Sequence, residues 1–169
     1  MADRKVAVVM GSDSDLDTMS FSIEQLARFG IACDVQVLSA HRSPDAVARF
    51  AEAAEGEGIE VIIAGAGKAA HLAGVIAAKT NLPVIGVPIE TKLAGGLDSL
   101  LSMVQMPRGV PVATMGTGKS GALNAAVLAA QILARSDPAL REKLADHKAE
   151  LARKVAKASH DLRKRLGLI

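Results

Sequence analysis

Short apolar runs alternate along the chain with longer segments in which apolar residues recur every three or four positions. Runs of four to six apolar residues are typical of buried strands, and the longer segments are typical of amphipathic helices. The pattern predicts strands at Lys5–Met10, Cys33–Leu38, Glu60–Ala64, Val84–Val87 and Val110–Thr114. Strands that alternate with helices in this way indicate βαβ units and a parallel sheet.

Helices are predicted between and after these strands, at residues 15–29, 44–55, 69–79, 97–104 and 120–133. Five strands with intervening helices favour an α/β fold, a three-layer α/β/α sandwich with a flavodoxin-like sheet in the order 2-1-3-4-5. No repeat or linker interrupts the chain. We therefore expect one domain over residues 1–169, with its α/β core in residues 1–135.

The last segment, residues 137–166, has a different pattern. One apolar stripe at spacings of three and four predicts a helix about 28 residues and roughly 40 Å long. A sandwich of this size is only about 35–40 Å across, so the helix is expected to pack on a neighbouring subunit. The alternative is a helix folded back on its own domain. The stripe consists of Leu140, Leu144, His147, Leu151, Val155, Ala158, Leu162 and Leu166.

Composition excludes several classes of protein. The formal net charge is +2 and the chain has no Trp or Tyr, which argues against nucleic-acid binding. Cys33 is the only cysteine, so neither an internal disulfide nor a cysteine metal site is expected. No apolar run approaches the roughly 18 residues of a membrane span, and no signal segment is recognised. We expect a cytoplasmic protein without membrane partners.

The segment Ser39-Ala40-His41-Arg42-Ser43-Pro44 joins the second predicted strand to a helix that begins at Pro44, with Ser43 as N-cap. Such loops lie at the carboxyl edge of the sheet, where open α/β sheets bind ligands. His41 could transfer a proton near neutral pH, and Arg42 could hold a phosphate or carboxylate. Two polar loop residues that simply face water are the alternative.

Gly11-Ser12-Asp13-Ser14-Asp15 follows the first strand and opens a helix. Backbone N–H groups there could bind a phosphate, with a hydroxyl donor from Ser12, while Asp15 could accept hydrogen bonds from a ribose. The same residues could serve only as a local N-cap. The acidic pair also leaves open a receiver-type site, with Asp13 or Asp15 binding a metal or phosphoryl group.

Two further loops contain glycines. Gly65-Ala66-Gly67-Lys68-Ala69-Ala70-His71 follows the third strand, and its glycines would let a ligand approach the backbone, with His71 in the first turn of the next helix. Gly116-Thr117-Gly118-Lys119-Ser120 ends like a phosphate-binding P-loop. That motif needs another glycine where Ala113 stands, so an ATP site is not expected. No spacing of His and carboxylate residues suggests a metal.

Taken together, these loops resemble the 5-(carboxyamino)imidazole ribonucleotide mutase family of purine biosynthesis, over about residues 5–135. The resemblance implies a cofactor-free and metal-free isomerase that moves a carboxylate from the exocyclic nitrogen to C4 of the imidazole. It also implies a homo-octamer with sites shared between subunits. The matching segments are residues 10–15, 39–45, 64–67, 69–72, 82–88, 98–102, 104–107 and 109–114.

The resemblance also implies roles for individual residues. Ser12 and Arg42 match the positions that bind the phosphate, Asp15 the position at the ribose hydroxyls, and His41 the essential general acid/base. The wall around the imidazole and the migrating carboxylate would comprise residues 65–67 with Ala70, His71 and Leu72.

Two positions depart from the family pattern: Lys68, where a second glycine after Gly67 is usual, and Ala73, where proline is usual. An ammonium near the migrating carboxylate could alter the binding of CO₂ or bicarbonate, so direct carboxylation of aminoimidazole ribonucleotide is an alternative activity. A non-catalytic nucleotide-binding module, or an assembly protein that depends on its C-terminal helix, are alternatives of other classes.

Overall fold

All five predicted strands occur in the computed structural model, which describes residues 4–169, and they form one parallel sheet. The strand order is β2-β1-β3-β4-β5, which confirms the predicted order 2-1-3-4-5. The strands are β1 (Arg4–Met10), β2 (Ala32–Val37), β3 (Val61–Ala66), β4 (Val84–Pro88) and β5 (Ala113–Thr114).

Helices cover both faces of this sheet. They are α1 (Leu16–Phe29), α2 (Pro44–Ala53), α3 (Leu72–Ala77), α4 (Leu97–Val104), α5 (Gly118–Leu133) and α6 (Pro138–Arg165). One hydrophobic cluster joins the sheet to α1, α5 and the start of α6. A second cluster joins the opposite face to α2, α3 and α4. The predicted three-layer α/β/α sandwich is confirmed.

The central strands are buried on both faces. In β1, Val6 and Val8 enter the first cluster, whereas Ala7 and Val9 enter the second, because successive side chains of a strand point to opposite faces. All six residues of β3 are buried as well. Two-sided burial explains why these strands appear in the sequence as continuous apolar runs without alternation.

Helix α3 is shorter than predicted. It spans Leu72–Ala77 instead of residues 69–79, and Lys68, just before the predicted start, lies in the left-handed region at φ 59°. The N–H of His71 donates to the carbonyl of Ala69 across a tight turn. His71 is therefore the N-cap of α3 and does not lie in its first turn as predicted.

Strand β5 is also shorter than predicted, since only Ala113 and Thr114 pair with β4. Gly109 turns the chain at φ 89°, and Pro111 has no N–H to donate to a neighbouring strand. The predicted residues 110–112 therefore approach the sheet without joining it.

Helix α6 packs on the sandwich only through its first turns. Leu140 and Leu144 are buried, Lys143 Nζ donates to the carbonyl of Phe29 at 2.7 Å, and the His147 ring meets the Phe29 ring edge-on. From residue 151 onward every side chain is exposed, including Val155 at 71 %. Packing of this part on a neighbouring subunit stays a prediction. None of the helices formed by residues 4–169 has the length and apolar composition to cross a membrane.

Candidate active site

A cleft of about 600 Å³ lies at the carboxyl edge of the sheet, where loops after β1, β2, β3 and β4 meet. This is the edge at which the sequence predicts ligand binding. The cleft wall consists of Gly11, Ser12, Ser14, Asp15, Ser39, Ala40, His41, Arg42, Ala66, Gly67, Lys68, Ala69, His71, Leu72, Ile89, Glu90 and Thr91.

The loop after β1 is held by a capping box. The Ser12 hydroxyl accepts from the N–H of Ser14 at 3.3 Å, and the Asp15 carboxylate accepts from the N–H of Ser12 at 3.2 Å. The N-cap interpretation of this loop is therefore correct. It is compatible with ligand binding, because Ser12 and Asp15 also form part of the cleft wall.

The Asp15 carboxyl group is half-buried, and this burial raises its pKa above the ordinary value of 3.8. Hydrogen bonds from Ser12 and Ser14 and the positive charge of Arg42 act in the opposite direction but do not cancel the effect of burial. A half-buried carboxyl group in a cleft gains from new hydrogen-bond donors, such as the hydroxyls of a sugar.

The loop after β2 is closed by Ser43. Its hydroxyl accepts from the N–H of Ser39 and donates to the carbonyl of Ser39, both at 3.2 Å. Ser43 precedes Pro44 as predicted, yet its side chain makes no capping hydrogen bond to α2. It closes the loop instead, so that His41 and Arg42 lie at its exposed tip.

Arg42 ties this loop to its neighbour. Its Nη2 donates to the carbonyl of Gly11 at 2.8 Å and its Nε donates to the Ser39 hydroxyl at 3.3 Å. A guanidinium has five N–H donors in a planar fork. Since these two contacts engage only two of them, the remaining donors can hold an anionic ligand in the cleft.

His41 and His71 form a pair across the cleft. The His41 Nε2 atom lies 2.8 Å from His71 Nδ1, and the rings meet edge-to-face with centroids 4.9 Å apart. One ring nitrogen must carry the proton and the other must accept it, so the pair couples the tautomers of the two imidazoles. Such a pair can hold a proton at a defined place.

The loop after β3 is held from α4. The N–H of Lys68 donates to Ser99 Oγ at 2.9 Å, and the Lys68 carbonyl accepts from Ser102 Oγ at 3.1 Å. Gly65 lies beneath the loop, where an added Cβ would collide with the sulfur of Met19. A side chain at position 65 would therefore have to displace Met19 of α1.

Comparison with known proteins identifies the family. The family model described as AIR carboxylase matches residues 5–154. The chain belongs to this family. The N5-carboxyaminoimidazole ribonucleotide mutase of Pseudomonas aeruginosa is 56 % identical over 144 residues, 85 % of this chain and 88 % of that protein. The Bacillus subtilis protein of the same name is 51 % identical over 157 residues, 93 % and 97 % of the two chains. The crystal structure of Treponema denticola PurE has a TM-score of 0.85 at 25 % identity, covering 94 % of this chain and 98 % of that one.

Twelve of the predicted site residues of this AIR carboxylase family member line the cleft. They are Gly11, Ser12, Asp15, Ser39, Ala40, His41, Arg42, Ala66, Gly67, Lys68, His71 and Leu72. The family resemblance drawn from the loops is confirmed. The receiver-type alternative for Asp13 and Asp15 has no support in this family.

Three predicted residues lie outside the wall. Asp13 is exposed and accepts hydrogen bonds from Ser12 Oγ and the N–H of Ser14, within its own loop. Gly65 is buried against Met19 and receives the N–H of Gly11 at its carbonyl. Ala70 is 1 % exposed and packs in the second cluster. These three residues support the site from behind or beside it.

The sequence did not reveal the contribution of the loop after β4, which adds Ile89, Glu90 and Thr91 to the wall. The signal was available, because β4 adjoins β3 in the predicted strand order and its carboxyl end must lie at the same edge. Ser14 and Ala69 are also wall residues that were not predicted. The segment resembling a P-loop, residues 116–120, does not contribute to the wall.

Proposed function

We propose that the chain is an N5-carboxyaminoimidazole ribonucleotide mutase, an isomerase that moves the carboxylate from the exocyclic nitrogen to C4 of the imidazole in purine biosynthesis. The observation that carries the proposal is the joint presence of His41, Arg42, Ser12 and Asp15 in one cleft. The relatives named as mutases, which are 51–56 % identical to most of this chain, support the same activity.

The nucleotide would be held at two ends. The free donors of Arg42 and the Ser12 hydroxyl, which would turn from Asp13 to the ligand, bind the phosphate, and Asp15 accepts from the ribose hydroxyls. The loop after β1 and the loop after β2, which carry these residues, are joined by the hydrogen bond from Arg42 to the carbonyl of Gly11. Contacts remote from the reacting atoms place the imidazole ring beside His41 and reduce the entropy lost on reaching the transition state.

The reaction then needs one proton given and one proton taken. Protonated His41 donates to the exocyclic nitrogen, the N–C bond breaks, and CO₂ and the aminoimidazole nucleotide form. The nucleophilic C4 attacks the CO₂ carbon, and the hydrogen displaced from C4 returns to His41. One histidine therefore serves as acid and then as base, and its pairing with His71 fixes where the proton lies between the two steps.

The CO₂ must stay beside C4 between these steps. Ala40, Ala66, Leu72 and Ile89 give the wall an apolar part that offers CO₂ no competing nucleophile. Excluding water from this space also strengthens the electrostatic contacts of the reacting groups. We place the CO₂ released from the nitrogen against this part of the wall.

The assembly and the surroundings of the enzyme belong to the proposal as well. We expect a homo-octamer, supported by the exposed apolar side chains of α6, and a cytoplasmic location. Val155→Asp should then reduce the sedimentation coefficient of the assembly, whereas an unchanged value would remove α6 from the interface.

No group of three or more His, Cys, Asp or Glu side chains within residues 4–169 is placed to hold a metal ion. Turnover is expected to survive treatment with EDTA.

The test follows the ultraviolet absorbance of purified protein supplied with the N-carboxylated nucleotide, and separately with the decarboxylated nucleotide plus bicarbonate. Turnover in the first arm supports the mutase, and turnover only in the second supports a direct carboxylase. His41→Asn should lower kcat by at least about 100-fold while nucleotide binding persists. His160→Asn, the same change at an exposed position of α6, is the matched control. Unchanged turnover in His41→Asn would remove that residue from the chemistry.

A further inference from the structure

Lys68 adopts a backbone conformation that side chains disfavour. Its φ is 59°, in the left-handed region where glycine is the ordinary residue. The conformation is enforced from α4, since fully buried Ser99 receives the N–H of Lys68 and Ser102 donates to its carbonyl. Strain of this kind persists where the surrounding structure over-determines it, and it clusters at functional sites.

Lys68 forms no salt bridge through its ammonium with the side chains that the structure describes. Its side chain is exposed, and within residues 4–169 no carboxylate lies within the 4.0 Å of an ion pair with its ammonium. The nearby Asp98 carboxyl has its pKa lowered chiefly by a hydrogen bond from Thr91, with only a weak contribution from Lys68. Thr91 is a wall residue, so the Asp98 carboxylate that it bonds lies beside the cleft. The Lys68 ammonium, which is in no salt bridge with Asp98, remains available to a ligand.

The distribution of charge along the cleft wall suggests which group of a ligand the Lys68 ammonium would bind. Its permanent cations are Arg42 and Lys68, and its carboxylates are Asp15 and Glu90. Arg42 already bonds the two loops that would hold the phosphate. Lys68 lies on the loop after β3, three residues before His71, which contacts His41. A second anionic group of the ligand, bound near the imidazoles, would then lie in the cleft whose wall includes Lys68.

We propose that the Lys68 ammonium binds the carboxylate of the carboxylated nucleotide and makes the site selective for carboxylated over decarboxylated nucleotide. This assignment rests on the proposed mutase function and deepens it. It also accounts for a lysine in a left-handed conformation: a glycine would adopt this conformation without strain but would leave the position uncharged. An ammonium serves here as a point charge that can follow the carboxylate from nitrogen to carbon, since its donors rotate freely.

Isothermal titration calorimetry with two ligands tests the assignment: the C4-carboxylated nucleotide and the decarboxylated nucleotide. Lys68→Gln keeps a long side chain at the strained position but removes the charge. It should weaken binding of the carboxylated nucleotide roughly tenfold, as expected for the loss of one charge-assisted hydrogen bond. Binding of the decarboxylated nucleotide should stay within about twofold of the wild-type value. Lys68→Arg should retain the selectivity.

Lys92→Gln is the matched control, because Lys92 is an exposed lysine of a neighbouring loop outside the cleft wall. It should leave both affinities unchanged. Equal loss for both ligands in Lys68→Gln, or no loss for either, would overturn the role of Lys68. Selective loss together with absent wild-type turnover would overturn the mutase proposal and leave Lys68 as a carboxylate-binding residue. Failure of the wild-type protein to bind either nucleotide would overturn both.

Discussion

Removing the His71 ring should slow the proposed reaction without unfolding the protein. In His71→Ala, the Nε2 atom of His41 loses its partner at 2.8 Å and the edge-to-face contact between rings 4.9 Å apart. A hydrogen bond between neutral groups contributes about 1 kcal/mol and an aromatic contact about 0.5 kcal/mol. If His41 loses its orientation and the whole of this loss, about 1.5 kcal/mol, is added to the activation barrier, kcat should fall roughly tenfold.

Two further substitutions separate positioning from direct contact with substrate. Asparagine places an amide near the position of the histidine Nδ1, so His71→Asn should keep a partner for His41 and recover most of kcat. Glutamine places its amide farther out, near the Nε2 position, and His71→Gln should stay close to the alanine variant. The opposite order would show that His71 acts through Nε2 on the substrate.

The assay is steady-state turnover followed by ultraviolet absorbance, with nucleotide affinity measured separately by calorimetry. Stability should change little, because the His71 side chain makes no capping hydrogen bond to α3 although it is the N-cap residue. Thermal unfolding of each variant checks this point. The reasoning fails if His71→Ala keeps the wild-type kcat, or if His71→Asn is no faster than His71→Ala.

Three other changes have defined outcomes. Lys68→Gly relieves a left-handed lysine and should raise the free energy of unfolding in urea by about 1 kcal/mol; equal or lower stability would refute the strain. Arg42→Lys cannot bond Gly11 and Ser39 and still present a fork to phosphate, so calorimetry should show roughly 100-fold weaker nucleotide binding. Burial raises the pKa of Asp15 above 3.8, so the folded protein holds this proton more tightly than the unfolded chain and loses stability as pH rises. The stability of Asp15→Asn relative to wild type should therefore increase as the pH rises above about 3.8 and then level off, and a constant difference would contradict the shift.

Much of the site could be predicted because parallel sheets place the carboxyl ends of their strands along one edge. The alternation of elements indicates a parallel sheet, and the observed order β2-β1-β3-β4-β5 brings the loops at Gly11, Arg42 and Gly67 together. Periodicity and turn residues are local signals, and they suffice for this arrangement. The same argument places the loop of Glu90 at this edge, although the loop carries no recognisable motif.

Features that depend on contacts between distant segments could not be predicted. The pair formed by His41 and His71 joins residues 30 positions apart, and nothing in either loop alone indicates a 2.8 Å contact. The left-handed conformation of Lys68 is equally hidden, because no residue beside this lysine indicates a positive φ. Hydroxyl groups of Ser99 and Ser102, on α4, hold the Lys68 backbone in that conformation.

The loops of the cleft are positioned by the sheet itself, through hydrogen bonds that continue past the ends of the strands. The N–H of Leu38 donates to Met10, that of Gly11 to Gly65, and that of Ile89 to Ala66, each at 2.9–3.1 Å. These bonds extend the parallel ladder by one step into the loops that line the cleft. Each loop therefore leaves the sheet in a direction set by its neighbour, and Arg42 adds a side-chain bond across the same gap. A substitution that breaks one step should shift the neighbouring loop as well as its own.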